Sequence, residues 1–345
     1  MHKLLLILLL LSVSGSSYGQ KNVRVEIDPR IEAITLFYTL ATIDTFDRKP
    51  TPSIYYKDFD TYFKPYKNHP SLTWYRNLAR WDAYDLSSIG LYLSDSYPFQ
   101  VEIPYAGSQL QSADMTTFLS KFNLFYKEAN VKDFIKSHKK EYARITDYTK
   151  NAILKSGLLQ EVERFYNRPS DGEMLIYVDA LNNQGSNAIT IDHKKFAGKK
   201  MFKLAYLSDE TLEQTNESPV TFMPLSNVLV HEVSHLFVSD FIPKYKERLE
   251  AIKHVFLTTA KGKTLPESEW QNELDELIVR VCVAKILGIK YGAAAEAKEV
   301  ENQSKHFKDF KAVHAFFDNY TSNRTRYKNS TEFYPELILF LETLA

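Results

Sequence analysis

The strongest chemical signal in the chain is a run of five residues, His231-Glu232-Val233-Ser234-His235, an H-E-x-x-H pentad. On a helix, residues four apart stand one turn apart on the same face, so both imidazoles can offer a ring nitrogen to a single zinc ion. Glu232 lies beside them. Its carboxylate can take a proton from water on the zinc, whose pKa the metal lowers toward about 7, and later pass it to a leaving amine. Random placement at this composition gives about 0.02 such pentads in a chain of this length. The flanks add weight, because Val228, Leu229 and Val230 precede the pentad and Leu236, Phe237 and Val238 follow it. A helix this apolar would bury two imidazoles and a carboxylate, which is costly without a shared partner.

The third ligand decides the subclass. A metzincin would carry Gly at 238 and His at 241, where this chain has Val238 and Phe241. Asp240 lies five residues past His235, about 140 degrees around the helix, and cannot join the site without a break. His254, with Glu247 and Glu250, sits among Lys244, Lys246, Arg248 and Lys253, the composition of a solvated face. The better source is the later stretch from Glu269 to Arg280, where an acidic beginning gives way to an apolar continuation at Glu276. Glu273 and Glu276 are three apart and share a helical face. A plain Glu276 to Arg280 ion pair on an exposed stripe would contribute only about 0.3 kcal/mol. Glu276 is the preferred third ligand, with Glu273 and His254 as alternatives.

With these residues the sequence resembles the gluzincin side of the zincin-like HExxH zinc metallopeptidases, which join that helix to a glutamate from a later one. More narrowly, H-E-V-S-H followed about forty residues later by Glu276-Leu277-Ile278-Val279-Arg280 resembles an uncharacterised family of secreted bacterial zincin-like proteins, over residues 170 to 290. In that family the pentad is close to H-E-F-S-H and the later helix carries Glu-x-x-Val-Arg. The resemblance implies His231, His235 and Glu276 as zinc ligands and Glu232 as catalytic base, with Arg280 bracing the site or meeting a substrate carboxylate or the oxyanion. The chain departs from well-known gluzincins in the longer spacing from His235 to Glu276. The Asn-Glu pair of those enzymes falls at Asn272-Glu273, whereas Glu276 follows Asp275.

Several elements must position these groups. Ser226 is a suitable N-cap for a helix through Val238, and Pro243 breaks it. A second helix is expected over Lys244 to Thr258, and a third from Pro266 to Leu287, stopping before Gly288. Before them, Met174–Val178, Ala188–Ile191 and Met201–Tyr206 pattern as strands, and Asn187–Ile191 or Met201–Tyr206 is the candidate edge for an extended peptide. Upstream, alternation from Asn22 to Ile27 suggests a strand and Ile31 to Ile43 a helix. Residues 48–71 look like loop with short helical turns. Helices are expected at 72–92, 114–128, 130–166, 305–320 and 335–344. The fold class is α+β, mainly helical, with a small sheet packed on the pentad helix. Residues 20–168 form a helical lobe or domain and 169–345 the zincin-like region.

Composition bounds the rest. The 345 residues are 44% hydrophobic and 25% charged, with 43 Lys+Arg against 43 Asp+Glu, as in ordinary globular proteins. A pI near 7.1 gives no whole-chain electrostatic reason to expect nucleic acid as a partner. Cys282 stands alone, which excludes a disulfide scaffold and a cysteine-ligated cluster. The 22 Tyr and 22 Phe point first to core packing. Residues 1–19, with His2 and Lys3 before the apolar run Leu4 to Leu11, pattern as a cleavable signal peptide, too short for a membrane span. The expectation is a secreted or periplasmic zinc peptidase acting on peptide or protein substrates, without stable membrane insertion. The rival is an extracytoplasmic peptide- or glycan-binding protein with a structural or vestigial zinc site. Tyr291, Tyr320, Tyr327 and Arg280 lie in the part of the chain that could supply an oxyanion donor.

Overall fold

The computed structural model describes residues 22–42, 53–78, 84–105, 110, 114–168, 172–182, 185–205 and 225–345. The expected signal peptide over 1–19, the expected boundary at Pro169 and the end of the expected strand at Tyr206 lie outside the described residues.

Among the described residues, four strands form one sheet. β1 (Val23–Glu26) opens it, and after α1 (Pro29–Thr42) the chain builds helices α2 (Ile54–Phe63), α3 (Pro70–Arg76), α4 (Met115–Glu128), α5 (Val131–Ser137), α6 (Lys139–Ser156) and α7 (Leu158–Tyr166). It then returns to the sheet as β2 (Glu173–Asp179), β3 (Asn187–Ile189) and β4 (Lys199–Ala205). The order is β1-β2-β4-β3, with β1, β2 and β4 parallel and β3 antiparallel at the edge. Val23 pairs with Met174, Leu175 with Met201 and Ala188 with Phe202. Both faces are covered, so β2 is buried along nearly its whole length, as parallel strands between layers are. Met174, Ile176 and Val178 enter the main core, while Leu175 and Tyr177 join Ile31, Leu91 and Ile103 in a smaller one. The expected strands are thus present, and α+β, mainly helical, describes the molecule.

Helix α1 is buried on every side from Arg30 to Thr42, Arg30 and Glu32 included, and lies inside the main core. Phe37 meets Tyr75, Phe118, Phe122 and Phe125 edge-on at 5.5–6.0 Å, the arrangement ring quadrupoles favour. The aromatic excess is therefore core. Part of the stretch expected as loop is a ten-residue helix, α2, capped by Ser53 Oγ on the Tyr56 N–H at 3.0 Å. Its Tyr55, Phe59 and Phe63, spaced by four, fill the core. The helical pattern over 130–166 is cut into α5, α6 and α7 at His138 and at Gly157, whose φ of +65° suits glycine.

The second half continues with α8 (Leu225–Val238), α9 (Phe241–Lys244), α10 (Lys246–Ala251), α11 (Trp270–Tyr291), α12 (Ala293–Gln303), α13 (Phe310–Phe316), α14 (Asp318–Ser322) and α15 (Tyr334–Glu342). The helix expected over Lys244–Thr258 is shorter, ending at Ala251 before a 3-10 turn from Lys253 to Leu257. Pro243 sits inside the short α9, since α8 has already ended at Val238. α11 does not stop before Gly288. It runs to Tyr291 and is closed by Gly292 at φ +92°. Gly288 instead lets Glu296 of α12, a helix the sequence pattern did not suggest, lie against the α11 backbone.

Candidate metal centre

Helix α8 divides cleanly between two faces. Leu229, Val230, Val233 and Phe237 are fully buried in the core, while Asn227, Val228, His231, Glu232, His235 and Leu236 line a cleft of about 760 Å³. α11 crosses it with the same logic: Leu274, Leu277, Ile278 and Val281 pack inward, and Asn272, Asp275, Glu276 and Arg280 face the cleft. The third wall is β3 and its flanks, Gly185 to Ile191. β3 is the edge strand next to β4, and Lys199, Lys200 and Met201 of β4 also line the cleft.

At the base of the cleft three donor atoms form a triangle. His231 Nε2 and His235 Nε2 are 3.1 Å apart, and Glu276 Oε1 lies 3.6 Å from the first and 3.4 Å from the second. Donors held at ~2.0–2.1 Å around one tetrahedral zinc ion are ~3.3 Å from each other. Two imidazoles and a carboxylate are also a donor set that zinc takes, so the residues fit such an ion in both spacing and chemistry. One ligand atom of Glu232 lies within 4.8 Å of those of both histidines, and the backbone N–H of Ala188 offers its carboxylate a hydrogen bond.

A further carboxylate completes the arrangement. His235 Nδ1 donates to Asp275 Oδ2 at 2.7 Å, which fixes the ring and turns Nε2 toward the triangle. Asp275 precedes Glu276 on α11, and the two turn to different nitrogens of His235. Glu276 is itself divided, with Oε1 toward the histidines and Oε2 accepting from Arg280 Nε at 3.3 Å.

Burial and these contacts set the charges. Burial, helped by the charge of Glu276, pushes the Glu232 carboxyl up to about 7, with His235, Arg280 and the Ala188 amide tempering the shift. His231 is lowered by burial, against the pull of Glu276. For His235 burial is outweighed by hydrogen bonds to Asp275 and Glu276, and its pKa rises to about 10. Glu276 is held far below the usual carboxylate range, because hydrogen bonds from both histidines and the charge of Arg280 overcome its burial.

Of the third-ligand candidates, the structure brings Glu276 to the histidine pair and not the others. Glu273 lines separate cavities beyond Glu276, and His254 is exposed on the 3-10 turn after α10. Asp240 is engaged by the Tyr334 hydroxyl at 3.1 Å and by Arg168 at 3.7 Å. The tyrosines considered as oxyanion donors lie elsewhere. Tyr320 donates to Phe165 O at 2.6 Å, Tyr327 to Glu336 at 3.0 Å, and Tyr291 is exposed at the end of α11. Of the two strands considered as peptide edge, β3 is the edge and β4 is internal. Asp275 was missed. Its only signal was adjacency to Glu276, since its partner lies forty residues upstream on another helix.

Fold and site together define a mainly helical α+β protein in which two helices present a His–His–carboxylate cluster to a cleft beside a sheet edge. The chain belongs to the family described as Domain of unknown function (DUF4932), which matches residues 79–340. No curated protein and no solved structure matches it significantly.

Proposed function

We propose that the chain is a secreted zinc-dependent peptidase, with His231, His235 and Glu276 holding the ion and Glu232 as general base. The observation that carries the reading is the triangle of Nε2, Nε2 and Oε1 atoms at 3.1, 3.4 and 3.6 Å on the floor of a cleft walled by an edge strand. When bound, zinc supplies Lewis acidity, acidifying water and polarising a carbonyl oxygen. The protein does the rest. The open edge of β3 pairs with an extended peptide and lays its backbone along the cleft. Glu232, beside the Ala188 amide, takes a proton from the attacking water and delivers it to the departing amine. Asp275 orients His235, and Arg280 steadies Glu276 while adding positive charge where the oxyanion develops. The apolar run Leu4–Leu11 supports export. Among the described residues no helix is long and apolar enough to cross a membrane.

The test is Glu232→Gln, assayed on a panel of internally quenched peptides with zinc content measured on the same preparations. The variant should keep its zinc and lose turnover by ~10²–10⁴-fold, the contribution of a positioned acid–base group. Unchanged turnover would remove Glu232 from the mechanism and the peptidase reading with it.

A further inference from the structure

Glu276 and Arg280 form a wall between the cleft and a second cavity of about 580 Å³, bounded by α11, the turn Thr259–Lys263 and residues 303–307. Its lining is unbalanced in charge. Lys261, Lys263, Lys305 and Arg280 face two carboxylates, Glu273 and Glu276, and the second of these is turned to the histidines and to Arg280. Arg280 gives Glu276 only its Nε, so both terminal nitrogens of its fork are without a protein partner among the described residues. Lys261 and Lys263 have no ion pair among the described residues, and Lys305 meets only the exposed Glu301. The lysines are carried on a pinned ribbon. Thr259 bridges to Phe307, the Thr259 N–H donates to Lys263 O at 3.0 Å, and the Ala260 N–H donates to His306 O at 3.0 Å.

We propose that this cavity is a carboxylate subsite of the peptidase cleft, so that the enzyme selects peptides bearing a carboxylate close to the bond it cuts. A guanidinium with an unused planar fork binds a carboxylate through two parallel hydrogen bonds, and the lysines draw the anion in. Arg280 follows Glu276 by four residues, about 6 Å along the helix. An extended peptide advances about 3.3–3.6 Å per residue, so the recognised carboxylate lies one or two residues from the scissile bond. It belongs either to a free C-terminus or to an Asp or Glu side chain. The inference rests on the peptidase reading and narrows it to acidic or C-terminal substrates.

The experiment compares three versions of one peptide on the zinc-loaded protein: a C-terminal acid, its C-terminal amide, and the amide with Glu as last residue. The acid or the Glu peptide should exceed the neutral amide at least ~10-fold in kcat/KM, the effect of a charge-assisted hydrogen bond. Which one does so identifies the source. That ratio should fall toward one in Arg280→Gln, and also in Lys263→Gln/Lys305→Gln, whose exposed positions leave the fold intact. Equal rates for all three peptides would overturn the subsite while leaving a peptidase. Cleavage of none would count against the peptidase, and calorimetric binding of N-acetyl-Phe-Ala and its amide to the metal-free protein would then decide the subsite alone. Tighter binding of the acid, weakened in the double lysine variant, supports it; equal binding refutes it.

Discussion

The two histidines of the cluster are held differently. His235 is clamped through Nδ1 by Asp275 at 2.7 Å, whereas His231 Nδ1 is buried with no hydrogen-bond partner among the described residues and owes its orientation to packing along α8. On the proposed reading Asp275 would support the ligand geometry without being a ligand itself. Asp275→Asn should lower zinc affinity by about 10–100-fold, as loss of such outer partners does, and leave the unfolding midpoint of the metal-free protein nearly unchanged. Competition against a chromophoric chelator measures the first and circular dichroism the second. The pentad could be found in the sequence because its geometry is local, four residues on one helix. Glu276 could be ranked above Glu273 because it stands where polar residues give way to apolar ones. Asp275 could not be assigned, because which of two adjacent acids meets which nitrogen depends on how α11 crosses α8.

At the scale of elements, α11 carries both the site and its support. Near its N-terminal end it presents Asp275, Glu276 and Arg280 to α8; toward its other end Lys285 is buried between Glu296 of α12 at 2.9 Å and Asp318 at 2.6 Å. Glu296 also meets His314 at 2.9 Å and lies against Gly288. Helix propensity alone favours alanine over glycine by about 1 kcal/mol. Here the sign is reversed, because a Cβ at 288 would press on the Cβ and carboxyl of Glu296 and disturb the partners of a buried lysine. Gly288→Ala should destabilise the protein by about 1–3 kcal/mol, as overpacking does, seen as a lower midpoint in urea with an unchanged slope. A glycine after a long apolar run is ordinarily a stop signal, and the sequence pattern was followed in ending the helix there. Close approach by a neighbouring helix is a tertiary use of the same residue, invisible to periodicity. The helix α2 escaped for a related reason: lysines and prolines masked an aromatic spacing of four that becomes meaningful once α1 is there to receive it.

Across the whole molecule, residues far apart in sequence share one sheet and a main core. β1 pairs with β2 across the helices from α1 to α7, and the alternation of Asn22 to Ile27 marked a strand without showing its partner. A buried polar network ties the same parts together. Glu32 of α1 accepts from Tyr55 of α2, whose hydroxyl is 2.8 Å from that of Tyr142 of α6, and Glu32 feels the charge of Asp179. Asp179 is paired in turn with Lys203 at 3.2 Å, with Ser87 bridging both. Burial, then the field of Asp179, pushes the Glu32 carboxyl from its ordinary 4.5 up to about 8. Between those values the folded chain holds a proton that the unfolded chain has released. The contribution of this proton to stability is complete below about pH 4.5 and is lost as pH rises through about 8. Glu32→Gln keeps an acceptor for Tyr55 and cannot ionise. The fall in melting temperature between pH 5 and pH 9 should be smaller in this variant than in the wild type by at least a few degrees, and an equal fall would show that Glu32 is ionised in the fold.

The central claim is that the triangle of donors is a metal site, and elemental mass spectrometry on the purified protein tests it directly. One zinc ion per chain, lost in both His231→Ala and Glu276→Ala while each stays folded, is the predicted result. A folded wild type that takes up no zinc after supplementation, or a Glu276→Ala variant that keeps it at full stoichiometry and affinity, would contradict it.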